Sequence, residues 1–209
     1  MDALDQVAPA AAGLLDRVDG VLAHAGAPAD HRIWPLLRRL GALPGAALSA
    51  VLSLRPAPPS FQGLIEEYAD ACTAVSVRGS WEGAGAEVFA AHQAALAGHL
   101  DGLTAKLSTT EAYGEAVAGW VRESRGAVAR ALVPLLGSAE AVTVLTEPVG
   151  LESAVAAAEI AAEVLAAVDE AYDRLEALMR DWDVELAELP YRPPEAGAPS
   201  IDSTTRIRL

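Results

Sequence analysis

Apolar residues recur at three- and four-residue intervals through most of the chain, the period of helices that bury one face. Over residues 3–25 the stripe is Leu4, Val7, Leu14, Leu15, Val18, Val21 and Leu22, with Asp16, Arg17 and Asp19 off it. Gly26 and Pro28 end this helix. A short helix is predicted from Asp30 through Ile33, Trp34, Leu36, Leu37 and Leu40, and Leu43-Pro44-Gly45 turns the chain into another short segment reaching about Leu54. Pro56, Pro58 and Pro59 break the pattern there. A helix over 60–78 then carries Phe61, Leu64, Ile65, Tyr68, Cys72 and Val75 on one face. The next, about 84–107, has Phe89, Leu96, Leu100, Leu103 and Leu107 in register. Ser108-Thr109-Thr110-Glu111 has the form of a capping box opening a further helix through Tyr113, Val117, Trp120, Val121, Ser124, Val128 and Leu132, although 84–136 read equally as one rod. Pro134 and Gly137 kink or stop it, and 137–150 is read as a connection. The last helix, about 151–187, shows a seam of Leu151, Val155, Val164, Leu165, Val168, Tyr172, Leu175, Met179 and Trp182 flanked by acids. From Leu189 onward, four prolines with Gly and Ser predict a disordered tail.

The pattern thus predicts an all-α fold, an elongated helical bundle with an N-terminal helical extension (1–59), a central bundle (60–187) and the tail (188–209). Composition refines this picture. Apolar residues make up 52% of the 209, but aromatic residues only 5%, so close packing through Ala, Val and Leu is expected. A net charge of −14 with no basic stripe argues against nucleic acid as a partner. The first residues, Met1-Asp2-Ala3-Leu4-Asp5, lack the basic and apolar regions of a cleavable signal, and no apolar run is long enough to span a bilayer. Cys72, the single cysteine, sits among Ala71, Thr73, Ala74 and Val75 and is expected to be an inert core residue.

Catalytic and metal-binding patterns are wanting. His92 and His99 lie seven apart on one helical face, which is poor evidence for a metal, and His24 and His31 stand apart from them. There is no Gly-x-Ser-x-Gly elbow, phosphate-binding glycine loop or His-Glu-x-x-His helix, and the adjacent acids Glu66-Glu67 and Asp169-Glu170 read as solvated helix faces. No catalytic residue, cofactor or metal ligand is assigned, and the chain is read as non-enzymatic.

One motif stands out. Gly79-Ser80-Trp81-Glu82-Gly83-Ala84-Gly85-Ala86-Glu87-Val88-Phe89 sets a Trp-x-Gly between two amphipathic helices, followed by small residues and an aromatic. The Gly permits a tight reversal, the small residues let the flanking helices approach, and the Trp is left at the end of the hairpin. In this respect the chain resembles the WXG-motif, ESAT-like family of type VII (ESX) secretion substrates, as a longer member of the kind found in actinobacteria. The resemblance implies a helix-turn-helix hairpin organised by Trp81 and Gly83 and packed with Phe89, and helical pairing with a partner protein or a second copy. It also implies export without a cleavable signal, read from a Tyr-x-x-x-Asp/Glu motif after a second helix, and a tail that helps docking to the type VII secretion ATPase. Tyr172-Asp173-Arg174-Leu175-Glu176 supplies that motif, whereas Tyr68 and Tyr113 are followed at the fourth position by Cys72 and Val117. Tyr172 and Glu176, one helical turn apart, can form one exposed patch, and Tyr172 also continues the apolar seam. The small family members are about half this length, with their Tyr motif much nearer the Trp than the 91 positions between Trp81 and Tyr172. The expected function is therefore a secretion substrate, or secretion-associated protein, found outside the cell or at its envelope and acting by helix–helix binding. The alternative is a cytoplasmic helical scaffold or regulator that is not exported.

Overall fold

The computed structural model describes residues 1–76, 81–183, 185–194 and 206–207, with the backbone alone for Trp81 and 206–207. Seven helices carry nearly all of the regular structure among these residues: α1 Ala3–Ala25, α2 Ile33–Leu40, α3 Pro44–Ser53, α4 Gln62–Val75, α5 Ala84–Leu135, α6 Ala139–Thr146 and α7 Leu151–Asp183. Two-residue strands β1 (Trp81–Glu82) and β2 (Arg206–Ile207) pair antiparallel, Trp81 opposite Ile207 and Glu82 opposite Arg206.

The chain folds as two compact units, each discontinuous in sequence. The first comprises Met1–Ala57 with Ala116–Arg180, and the second Pro58–Glu115 with Asp181–Leu209. A break near residue 58 is legible in the proline cluster, but the later half of α5 and most of α7 join the N-terminal helices.

In the first unit α7 is the centre. Ala157, Ala158, Ile160, Ala161, Ala162, Val164 and Leu165 are all fully buried. A helix buried on most sides needs small residues where its neighbours come close, and the alanines supply that. The seam expected along α7 is accordingly only half right: Val164, Leu165 and Val168 are buried, whereas Leu151 is 78% exposed and Val155 and Met179 are also exposed. Large side chains mark the face of an amphipathic helix, but in a central helix the closest contacts fall on alanine, which such a pattern does not register. Around α7 the core is completed by Leu4, Leu15, Val18 and Val21 of α1, Ile33 of α2, Leu48 and Val51 of α3, Val128 and Leu132 of α5, and Val144 of α6.

Polar groups fix how these helices end and meet. Asp2 accepts from the Asp5 amide and Asp5 from the Asp2 amide, a capping box that opens α1. Asp19 of α1 accepts from the Gly45 amide at 3.2 Å, capping α3 from a distance because its own N-cap residue, Leu43, has no side-chain acceptor. Burial pushes the Asp19 carboxyl up, the Gly45 bond opposing it. Arg17 donates to the carbonyls of Val144 and Glu147, satisfying the C-terminal end of α6. Arg32 bridges Glu159 and Glu163, and Arg39 bridges Asp169 and Asp173, holding the two ends of the α2 region to α7.

One alternative left open by the sequence is decided, and one local expectation is corrected. Ser108 opens no helix: α5 runs unbroken for 52 residues, and Ser108, Thr109 and Thr110 donate back to the carbonyls of Thr104, Ala105 and Lys106. Glu111, the other half of the expected capping box, instead accepts from the Phe61 amide. The stretch read as a connection contains α6, whose N-cap Ser138 accepts from the Ala141 amide at 3.0 Å. That Ser-x-x-Ala start was visible in sequence but lacks the Glu of a full capping box.

Candidate functional site

The motif that drew attention in the sequence lies in the second unit. There α4 and α5 run antiparallel: the Phe61 amide meets Glu111 Oε1 at 3.2 Å, Cys72 Sγ donates to the Ala97 carbonyl at 3.5 Å, and Gln93 donates to the Val75 carbonyl at 2.9 Å. At the far end of this hairpin Pro59 packs directly on α5, where a Cβ on Gly114 would fall 2.1 Å from the proline ring. No larger residue fits there. At the near end Gly83 precedes the first residue of α5 with φ 113°, a conformation that side-chain-bearing residues rarely adopt. The glycine of the Trp-x-Gly is thus required by the backbone. Residues 77–80 and the Trp81 indole lie outside the described residues, so the expected role of that indole is not part of this geometry.

The C-terminal segment returns along α5. Lys106 Nζ donates to the Glu185 carbonyl, Leu189 lies over Gly102, and Tyr191 meets His99 edge-on with ring centroids 5.3 Å apart. Trp182 and Tyr113 pack at 5.7 Å. Much of the segment read as a disordered tail, residues 195–205 and 208–209, lies outside the described residues; within 185–194 the chain has neither helix nor strand but is held by these contacts.

Burial then separates the two units. None of the described side chains in the hairpin unit is fully buried. Leu64, Val88, Phe89 and Leu96 are exposed by 44%, 43%, 50% and 39%. Phe89 and Leu96 stand seven residues apart on one side of α5, so half-exposed apolar surface continues along two turns. Cys72, expected in a core, is only partly buried and lines a small recess with Asp101 and Thr104. His92 is engaged with the Val88 carbonyl of its own helix and His99 with Tyr191. Among the described residues no group of three or more His, Cys, Asp or Glu is placed to hold a metal.

No family model, curated protein or solved structure matches this chain.

Tyr172 and Glu176 belong to the first unit, on α7, and therefore to a different compact unit from Trp81, Gly83 and Phe89. Both are exposed one turn apart. Tyr172 also borders an apolar recess walled by Trp120 of α5, whose indole Nε1 donates to the Ala171 carbonyl at 2.7 Å.

The group that sequence reasoning missed is Arg125, 2% exposed in the heart of the first unit. Its Nε and Nη2 donate to both carboxylate oxygens of Asp2, at 2.5 and 3.1 Å, and Nη2 also reaches Asp5 Oδ1 at 2.6 Å. Nη1 donates to the carbonyls of Val51, Leu52 and Leu54 at the end of α3, at 3.1, 3.0 and 3.3 Å. The guanidinium holds the Asp2 carboxyl down at about 2, helped by the Asp5 amide; the Asp2 amide, and then Arg125, lower Asp5. A signal for it existed, since Val121, Arg125, Val128 and Leu132 share one helical stripe and a cation on an apolar stripe needs buried partners. Every donor is spent on structure, so Arg125 is a lock between α1, α3 and α5 with no free edge for a ligand.

Proposed function

We propose that this chain is a helical scaffold or regulatory binding protein whose α4–α5 hairpin binds a helical partner or a second copy. The observation that carries this reading is the contrast between the units: one has a dense alanine-centred core, while the hairpin buries none of its described side chains and leaves Leu64, Val88, Phe89 and Leu96 half-exposed. Two antiparallel helices cannot by themselves enclose a core, and a facing helix or helix pair supplies the missing layer. Burying Leu96 against such a partner contributes roughly 2 kcal/mol, about 30-fold in affinity.

Sedimentation equilibrium combined with hydrogen exchange tests this. The purified chain self-associates, or its α4 amides exchange far faster than those of α7 until a helical partner is added, and Leu96→Glu abolishes the association or the partner-induced slowing. A monomer whose α4 amides are as protected as those of residues 156–168 would show a self-sufficient hairpin and end the proposal.

A second reading is favoured by the exposure of Tyr172 and Glu176 one turn apart on α7. It makes the chain a WXG-type substrate of type VII secretion, with that pair as the recognition patch and the secretion ATPase as a partner. The protein is then lost from the culture medium when the type VII ATPase is deleted, and equally when Tyr172→Ala and Glu176→Ala are combined. Retention in the cell with the ATPase present excludes it and leaves the scaffold reading.

A further inference from the structure

The recess beside Tyr172 lies within the first unit, and its chemistry is independent of the hairpin and whatever the hairpin binds. It has a volume of about 540 Å³, within the range of roughly 300–1,000 Å³ usual for small-molecule sites. Four helices wall it, α2 through its last residue, Leu40. α3 contributes Ala46, Ala47 and Ala50, α5 contributes Trp120 and Ser124, and α7 contributes Val168, Ala171 and Tyr172. The alanines are the reason space remains, because the α3 face that looks across to α5 and α7 carries side chains too short to fill it.

The polar groups of this lining are few: the Trp120 indole, Ser53, Ser124 and the hydroxyl of the half-exposed Tyr172. The Trp120 indole is committed to the Ala171 carbonyl at 2.7 Å, and Ser53 Oγ donates to the Ala50 carbonyl at 2.6 Å. Ser124 is 1% exposed, lines the recess and has an Oγ with no hydrogen-bond partner and almost no contact with solvent, so a ligand reaches it when the hydroxyl turns about the Cα–Cβ bond. A buried hydroxyl left unpaired is costly, and a ligand oxygen that reaches it removes that cost. No charged side chain is among the lining residues. Arg39, a nearby cation on α2, is already engaged by Asp169 and Asp173, and the chain as a whole is strongly acidic. An anionic head group therefore finds no counter-charge there.

We infer that this recess binds a neutral amphipathic small molecule, an aliphatic chain or ring bearing one hydroxyl, with the hydrocarbon against α3 and α7 and the oxygen on Ser124 Oγ. A hydroxyl suits the serine better than a carbonyl or an ether because the two can exchange donor and acceptor roles. Tyr172, 47% exposed, forms the outer wall.

Isothermal titration calorimetry of the full chain with 1-octanol, and with octanoate as the charged control, decides it. Saturable one-to-one binding of octanol is expected, with octanoate much weaker. Ser124→Ala weakens octanol about three- to tenfold, the value of one hydrogen bond, and leaves or raises the thermal midpoint of the free protein. Ala50→Leu, at an exposed position on the recess wall, abolishes binding while leaving the fold intact by circular dichroism. Absence of octanol binding to the unmodified chain overturns the inference. So does affinity unchanged in Ala50→Leu, or in Ser124→Ala, since either places the ligand elsewhere.

Discussion

Replacing Arg125 by methionine tests how the first unit is held together. Methionine fills a similar volume but removes every donor from a site where six contacts converge. The two carboxylates are freed cheaply: the Asp2 and Asp5 side chains are 46% and 31% exposed and rehydrate, and solvent screening leaves the Asp2 pair worth no more than about 1 kcal/mol. The carbonyls at the end of α3 are not orphaned either, since Val51 also accepts from the Leu54 amide and Leu52 and Leu54 from Arg55 Nη1. Each loses one bond from a buried charged donor, worth roughly 0.5 kcal/mol where the acceptor keeps another partner. Offset by the gain from burying methionine in place of a cation, the sum is about 2 kcal/mol, near 30-fold in the opening equilibrium. Native-state hydrogen exchange read on α5 residues 126–132 and α7 residues 156–168 should show protection falling by that factor, with α4 residues 62–75 unchanged. Arg125→Lys should recover only part of the loss, since an ammonium cannot meet both carboxylates and three carbonyls from one planar fork. A loss below about 0.5 kcal/mol for Arg125→Met would refute the argument by showing that the remaining donors and water replace the guanidinium without penalty.

Acid should destabilise the first unit in a defined window. The Asp2 carboxyl is held at about 2 against an ordinary value of 3.8, so its contribution is complete above pH 4 and disappears as the pH falls towards 2. Glu159 beside Arg32 and Asp173 beside Arg39 shift in the same direction, whereas Asp19, raised by burial, works the opposite way. An unfolding midpoint in urea that stays flat between pH 5 and pH 2.5 would contradict this, and Asp2→Asn should flatten the profile in part. In the core, Ala161→Leu places three extra carbons where the existing side chain is fully buried, and should cost about 1–3 kcal/mol or more, lowering the thermal midpoint by several degrees. The same change at Ala166, on the half-buried side of α7, serves as the control and should alter the midpoint little.

Much of the helical content was legible from periodicity alone. The stripe from Leu4 to Leu22 and the terminator at Gly26 define α1, and the prolines at 56–59 mark a true break, because amphipathic spacing and chain-breaking residues act locally. Gly83 was likewise readable as a turn glycine, and its φ of 113° explains why. The α7 seam was read only in part, because a central helix is recognised by alanines such as Ala157 and Ala161, which carry little hydrophobic signal while allowing the closest packing. Ser108 shows the limit of a local motif: a Ser-Thr-Thr-Glu sequence can cap a new helix or bond back onto an existing one, and the Phe61 amide that engages Glu111 lies fifty residues away. The pairing of Arg125 with Asp2 spans 123 residues, and the emptiness beside Ser124 arises from four helices none of which is deficient by itself. The sequence therefore determined most of the helical segments, α6 excepted, and that two amphipathic helices flank a glycine-containing junction. Tertiary structure alone decided which half of α5 belongs with the N-terminal helices, which apolar side chains stay uncovered and which buried hydroxyl is left unpaired beside a recess. Local periodicity reports one helix face at a time, whereas burial, charge pairing and cavities depend on side chains that distant parts of the chain bring to the same place.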